Sequence, residues 1–141
     1  MLNSEDKIDL NLVRLGDQKE EDKKFIYNLI EQFLKTNLSI TFLTMPSFDD
    51  FFKIKIKRRM VTYEEKTVGF VQMLENGEVG YFIDPLYQGK GIATKAVELL
   101  MDENPRERYF ASINNDNIAS INLVKRLGFH PKATVFEKIS E

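Results

Sequence analysis

The run Gln88-Gly89-Lys90-Gly91-Ile92-Ala93 sits between an apolar alternating segment and one with helical spacing. A glycine loop leaving a strand and opening a helix aims several unpaired backbone N–H groups, and the positive end of the helix dipole, at one spot. A phosphate suits that spot. Gly89 and Gly91 permit backbone angles closed to other residues and a close approach of an anion, while Lys90 and Lys95 add local positive charge. Two rival phosphate motifs fail on the same residues. A Walker A loop requires glycine where Asp84 stands, and a GxGxxG dinucleotide fingerprint would use Gly89, Gly91 and Thr94, which lacks its third glycine.

Composition narrows the remaining chemistry. The chain has no cysteine, so thiolate catalysis, redox CxxC motifs, disulfides and Cys-ligated metals are excluded. His130 is the only histidine, which excludes two-His zinc sites and leaves no expected metal. Twenty basic residues against 22 acidic ones give a net charge of -2 and no global field for nucleic acid or an anionic membrane. No apolar run approaches the ~20 residues of a membrane span. The polar stretch Met1 to Lys7 has no signal-peptide core, so the expected location is cytoplasmic. At 141 residues the expectation is one domain over 1–141.

The elements that must position the loop follow from periodicity. Alternation predicts strands over Ile8 to Leu15, Arg59 to Tyr63, Thr67 to Leu74, Glu78 to Ile83 and Tyr109 to Ile113, with Phe129 to Ile139 as one strand or a short hairpin. Helical spacing predicts helices over Glu20 to Lys35, Phe48 to about Lys55, Ile92 to Asp102 and Asn117 to Leu127, with Ser47 and Asn117 as caps and Gly128 as a stop. Asn37 to Met45 is ambiguous. The fold class is α/β (α+β), a mixed and mostly antiparallel twisted sheet of about six or seven strands with about four helices.

The stretch Ile83-Asp84-Pro85-Leu86-Tyr87-Gln88-Gly89-Lys90-Gly91-Ile92-Ala93 resembles the acetyl-CoA-binding signature of the GNAT superfamily of N-acetyltransferases, and Asn117 to Phe129 resembles its second signature. The resemblance implies an enzyme that moves an acetyl group directly from acetyl-CoA to a primary amine of a small molecule or of a protein or peptide N-terminus. It implies that the backbones of Phe82 and Ile83 pair with the pantetheine arm and that the N–H groups from Gly89 to Ala93 hold the pyrophosphate. Gln88, Lys90 and Thr94 belong to the same implied cofactor site. Asn117 is either a cofactor ligand, a helix cap, or both.

The chain departs from the better-understood branches. The helix position used there by a general-acid Tyr is Val124, and a position used by a general-base Glu is Ser112. The substitutes are Glu78 as base and Tyr81 or Tyr87 as proton donor, with His130 beside the site. The alternative from another class is a noncatalytic acyl-CoA-binding module. Phe42, Phe48, Phe51 and Phe52, with Asp49 and Asp50, are read either as an acceptor cleft or as core aromatics beside an acidic turn. The short segment after Gly128 leaves either an open cleft or completion by a second subunit in a homodimer.

Overall fold

A computed structural model describes residues 7–36 and 44–140. Its elements, in chain order, are β1 (Val13–Asp17), α1 (Lys23–Leu34), α2 (Phe48–Phe51), β2 (Lys57–Tyr63), β3 (Lys66–Met73), β4 (Val79–Ile83), α3 (Ile92–Glu103) and α4 (Ile118–Arg126). The four strands form one sheet in the order β1-β2-β3-β4, antiparallel throughout. The four expected helices are present, although α2 ends at Phe51 and not near Lys55. The expected six or seven strands are not: among the described residues there are four.

Three strand expectations change. Alternation at Ile8, Leu10 and Leu12 belongs to an irregular entry, because the Asp9 carboxylate accepts from the Asn11 N–H and winds Leu10–Leu12 into a 3-10 turn. Strand β1 therefore starts at Val13 and continues past Leu15 through Gly16 to Asp17, which pairs with Arg59. Tyr109 to Ile113 contributes one isolated parallel bridge, Glu78 with Phe110, instead of a strand. Phe129 to Ile139 has no strand or hairpin; Val135, Phe136 and Ile139 are exposed. Residues 37–43, which include Phe42 and most of the ambiguous Asn37 to Met45 stretch, lie outside the described residues.

Strand alternation sends successive side chains to opposite faces. One face carries Val61, Val71, Val79 and Ile83, and α3 covers it with Ile92, Ala96, Val97 and Leu100. The other carries Met60 and Phe70 and is covered by Ile26, Leu29 and Ile30 of α1. Burying side chains of this size contributes about 1.5–3 kcal/mol each. The exposed Lys23–Glu20 ion pair at the start of α1 contributes about 0–1 kcal/mol, so the apolar stripe seats the helix.

The β3–β4 contact is the tightest backbone approach at a glycine in the sheet. A Cβ on Gly69 would stand 2.2 Å from the Phe82 carbonyl oxygen, a backbone atom that cannot move without parting the strands. Gly69→Ala should therefore cost about 1–3 kcal/mol. Gly16→Ala, with nothing within 4 Å of the new methyl, should change stability by less than about 0.5 kcal/mol. Urea midpoints check this, and equal midpoints for the two variants would contradict the strand packing.

Candidate functional site

The outer edge of β4 is paired only at its beginning. The Val79 N–H donates to the Phe110 carbonyl at 2.7 Å and the Phe110 N–H donates to the Gly77 carbonyl at 3.0 Å. Beyond that bridge the chain diverges from β4, and no further ladder joins residues 111–114 to it. The bridge also sets which backbone groups face the opening. Val79 points outward, so Tyr81 and Ile83 do too, while Gly80 and Phe82 pair with Gln72 and Phe70 of β3. Asp84 keeps this phase, donating inward to the Val68 carbonyl. The Ile83 backbone therefore faces the opening. Phe82 is a correction: its backbone is spent inside the sheet, its ring stacks on Phe70, and Tyr81 takes the outward place.

Beyond β4, Asp84 caps the 3-10 turn Pro85–Tyr87 by accepting from the Leu86 N–H. Gln88 then folds back, its Nε2 donating to the Ile83 carbonyl at 3.0 Å, so this residue ties the loop to the strand edge. Gly89 and Gly91 have φ of 73° and 88°, the left-handed region that favours glycine. Gly91 caps α3, and the first helix bond runs from the Lys95 N–H to the Gly91 carbonyl. The N–H groups of Ile92, Ala93 and Thr94 accordingly have no acceptor within the helix. The Ile92 side chain is core, so only its backbone serves the loop. Lys90 is half-buried, and Lys95 lies 3.8 Å from Glu98.

Helix α4 faces the same region. The Asn117 side chain accepts from the Ser120 N–H at 3.2 Å, which makes it the helix cap. Its side-chain amide nitrogen is not used in the cap. Val124 is buried and apolar. Tyr81, projecting from β4 on the α3 side of the sheet, has a buried hydroxyl with no hydrogen-bond partner. Burial raises its pKa above the ordinary 10.0; Ser120, near but outside hydrogen-bond geometry, partly offsets this.

The other candidates are more ordinary. Tyr87 is core, with Lys66 Nζ 5.6 Å from its ring centroid. Glu78 is half-buried at the bridge and forms no ion pair with a described residue. His130 is exposed. Phe48, Phe51 and Phe52 pack on one another and on Tyr27, and Asp50 pairs with Lys53. Arg58 was not anticipated, although its position in phase with Met60 marks it as facing the core. A groove of about 410 Å³ between β1 and α3 lies outside the loop and the β4 edge. Among the described residues no group of three or more His, Cys, Asp or Glu could hold a metal, and no helix is long and apolar enough to cross a membrane.

Comparison with known proteins agrees with this arrangement. Residues 40–130 match the model of the acetyltransferase (GNAT) domain. The chain is 28% identical to the Probable N-acetyltransferase YjcK of Bacillus subtilis (strain 168) in a match covering 58% of this chain and 62% of that protein, less than two thirds of its length. The fold is similar to spermidine N-acetyltransferase from Vibrio cholerae in complex with CoA and spermine, with TM-score 0.77, 19% identity, and coverage of 92% and 88% of the two chains. It is also similar to yncA, a putative acetyltransferase from Salmonella typhimurium with its cofactor acetyl-CoA, with TM-score 0.71, 20% identity, and coverage of 87% and 82%. The glycine loop, the open strand edge and the family match together make this chain a member of the GNAT acetyltransferase family.

Proposed function

We propose that the chain transfers an acetyl group from acetyl-CoA to a primary amine, on a small molecule or at a protein or peptide N-terminus, by direct transfer. The observation that carries this reading is the unpaired edge of β4 running into the N–H cradle of α3. An amide-bearing arm can add to the free edge as a strand would, and a pyrophosphate fits the open loop, where a Cβ at Gly89 would meet nothing within 4 Å. When bound, acetyl-CoA supplies a thioester whose C–S bond breaks as the N–C bond forms.

The chain's own groups then have definite tasks. The outward N–H groups of Tyr81 and Ile83 hold and polarise carbonyl oxygens in the opening. Gln88 occupies the Ile83 carbonyl, leaving the Ile83 N–H as that residue's free group. The N–H groups from Gly89 to Ala93, with Thr94, hold the pyrophosphate, and Lys90 contributes charge. Asn117 keeps its capping Oδ1 in α4 and offers its side-chain amide nitrogen, Nδ2, to the arm. Tyr81 holds the proton that the departing sulfur needs, in place of an acid that Val124 cannot supply. Its raised pKa keeps the phenol protonated at neutral pH. Glu78 is the base nearest the start of the open edge.

Acetyl-CoA should raise the melting temperature, by about 2.7 kcal/mol of stabilisation at a hundred times Kd. Gly91→Asp should abolish that shift through charge and crowding, and should also cost the apo protein about 1 kcal/mol because φ is 88° there. An undiminished shift in the variant would remove the loop from the reading. Thiol release over a panel of polyamines, amino acids and N-terminal peptides tests catalysis; binding without release from any of them would make the chain a noncatalytic acyl-CoA module.

Tyr81→Phe separates chemistry from packing. Removing an unpartnered buried hydroxyl should stabilise the fold by about 1–3 kcal/mol. The same change should lower kcat by only about 10-fold, since a thiolate of pKa ~8.5 leaves tolerably without an acid. Because the folded-state pKa of Tyr81 is raised, wild-type stability should fall as pH rises above about 10, and the variant should lack that part of the fall. Unchanged kcat would assign proton transfer elsewhere.

A further inference from the structure

Arg58 is a buried cation that has no counter-ion among the described residues. Its residue is 9% exposed, and its guanidinium carbon lies 5.3, 5.8 and 5.6 Å from the ring centroids of Phe51, Phe52 and Phe70. Nε donates to Gln72 Oε1 and Nη1 to Gln18 Oε1, both at 3.2 Å, and no ion pair reaches it among the described residues. Burial lowers its pKa to about 10, which still leaves it charged at neutral pH. A buried charge with only neutral acceptors is costly, and an anion would relieve that cost.

The donors that remain point one way. Among the described residues Nη2 has no partner, and it is not among their fully buried unpartnered side-chain atoms, so it keeps some contact with solvent. In the planar guanidinium Nη2 shares an edge with Nε and therefore lies toward Gln72. Arg58 has donors alone, so each glutamine must turn its oxygen to it and its amide nitrogen away. Gln72 Nε2 is thus a second available donor, on the side of Gly80.

The sheet register connects this pair to the open edge of β4. Arg58 pairs with Gln72, and Gln72 pairs with Gly80. Gly80 is half-exposed and presents no side chain; a Cβ there would lie 3.4 Å from the Gln72 side chain. The row from the open edge to Nη2 crosses two strand spacings, ~10 Å at most, and the reach of Arg58 toward Gln72 shortens it. Glu78 falls on the same face as Gly80 by alternation, which disfavours a lone anion at the entry and suits one that also carries an amine.

Resting on the acetyl-transfer reading, we propose that Arg58 Nη2 and Gln72 Nε2 form a subsite for the carboxylate of the acceptor, making the preferred acceptor an amine that bears an acid several bonds away. A polyamine offers this pair nothing to bind. Phe51 and Phe52 stand against the guanidinium and lower the local dielectric, which strengthens an ion pair formed there.

The test compares 6-aminohexanoate with 6-aminohexanamide, which share amine and chain and differ in the carboxylate. Calorimetry on the full chain, with and without CoA, should show the acid binding at least about 10-fold tighter than the amide. Arg58→Met should bring the ratio close to one. If that variant fails to fold, Gln72→Met, which keeps the guanidinium, should still lower the ratio about 3-fold or more. A ratio near one in the wild type, or one undiminished in the folded variants, overturns the subsite. Acid preference without thiol release would support the subsite and overturn acetyl transfer, while thiol release without acid preference would do the reverse.

Discussion

A strand paired on one edge and open on the other is the constraint on which the rest of this molecule depends. Backbone N–H and C=O groups in a partly enclosed cleft need partners, and leaving them without any costs about as much as a lost hydrogen bond. In β4 the demand is met by β3 along one side and by Phe110 at the first outward residue of the other. Gln88 meets it at the last, through the Ile83 carbonyl. Between these points the outward groups of Tyr81 face the opening. The divergence is built by the chain after Phe110, which turns through Asn114, where the Asn117 N–H donates to the Asn114 carbonyl, and enters α4.

The two faces of the sheet divide the work around that edge. The α3 face is aliphatic and close-packed, with Val61, Val71, Ala96, Val97 and Leu100 fully buried, and it holds the start of α3 against β4. Rigid seating matters there because an anion cradle of backbone N–H groups functions only if the loop and strand keep their relative position. The α1/α2 face is aromatic and contains the buried Arg58. Aromatic walls with a charge tolerate a polar visitor in a way that an aliphatic face does not.

Under the proposed acetyl transfer, the proton-donating hydroxyl stands on β4 at Tyr81 and not on α4, where Val124 sits. Val124 packs as core on α4, and the phenol near that helix comes from the strand instead, close to Ser120. The hydroxyl is carried at a cost to stability, since among the described residues none accepts its proton in hydrogen-bond geometry. Arg58 carries a comparable cost on the opposite face. Both groups lie in or beside the row of residues that meets the open strand edge.

Much of this was legible from sequence. The glycine loop, the Asn117 cap, the four helices and the two central hairpins rest on interactions between residues a few positions apart, which local residue types determine. Gly89 and Gly91 adopt the backbone angles that a loop opening a helix requires. The chain's alternation also read Tyr109 to Ile113 and Phe129 to Ile139 as strands, because period two records the capacity to pair and not the presence of a partner. Which edge of β4 stays open, and hence that Tyr81 and not Phe82 turns its backbone outward, follows from the single bridge between Glu78 and Phe110. The burial of Arg58 among rings from α2 and β3, and the unpartnered Tyr81 hydroxyl, likewise arise between residues far apart in the chain. The sequence by itself determined the local chemistry of the loop and its flanking helix; only the tertiary structure decided which backbone groups and which charges face it, because register and burial are set by long-range pairing.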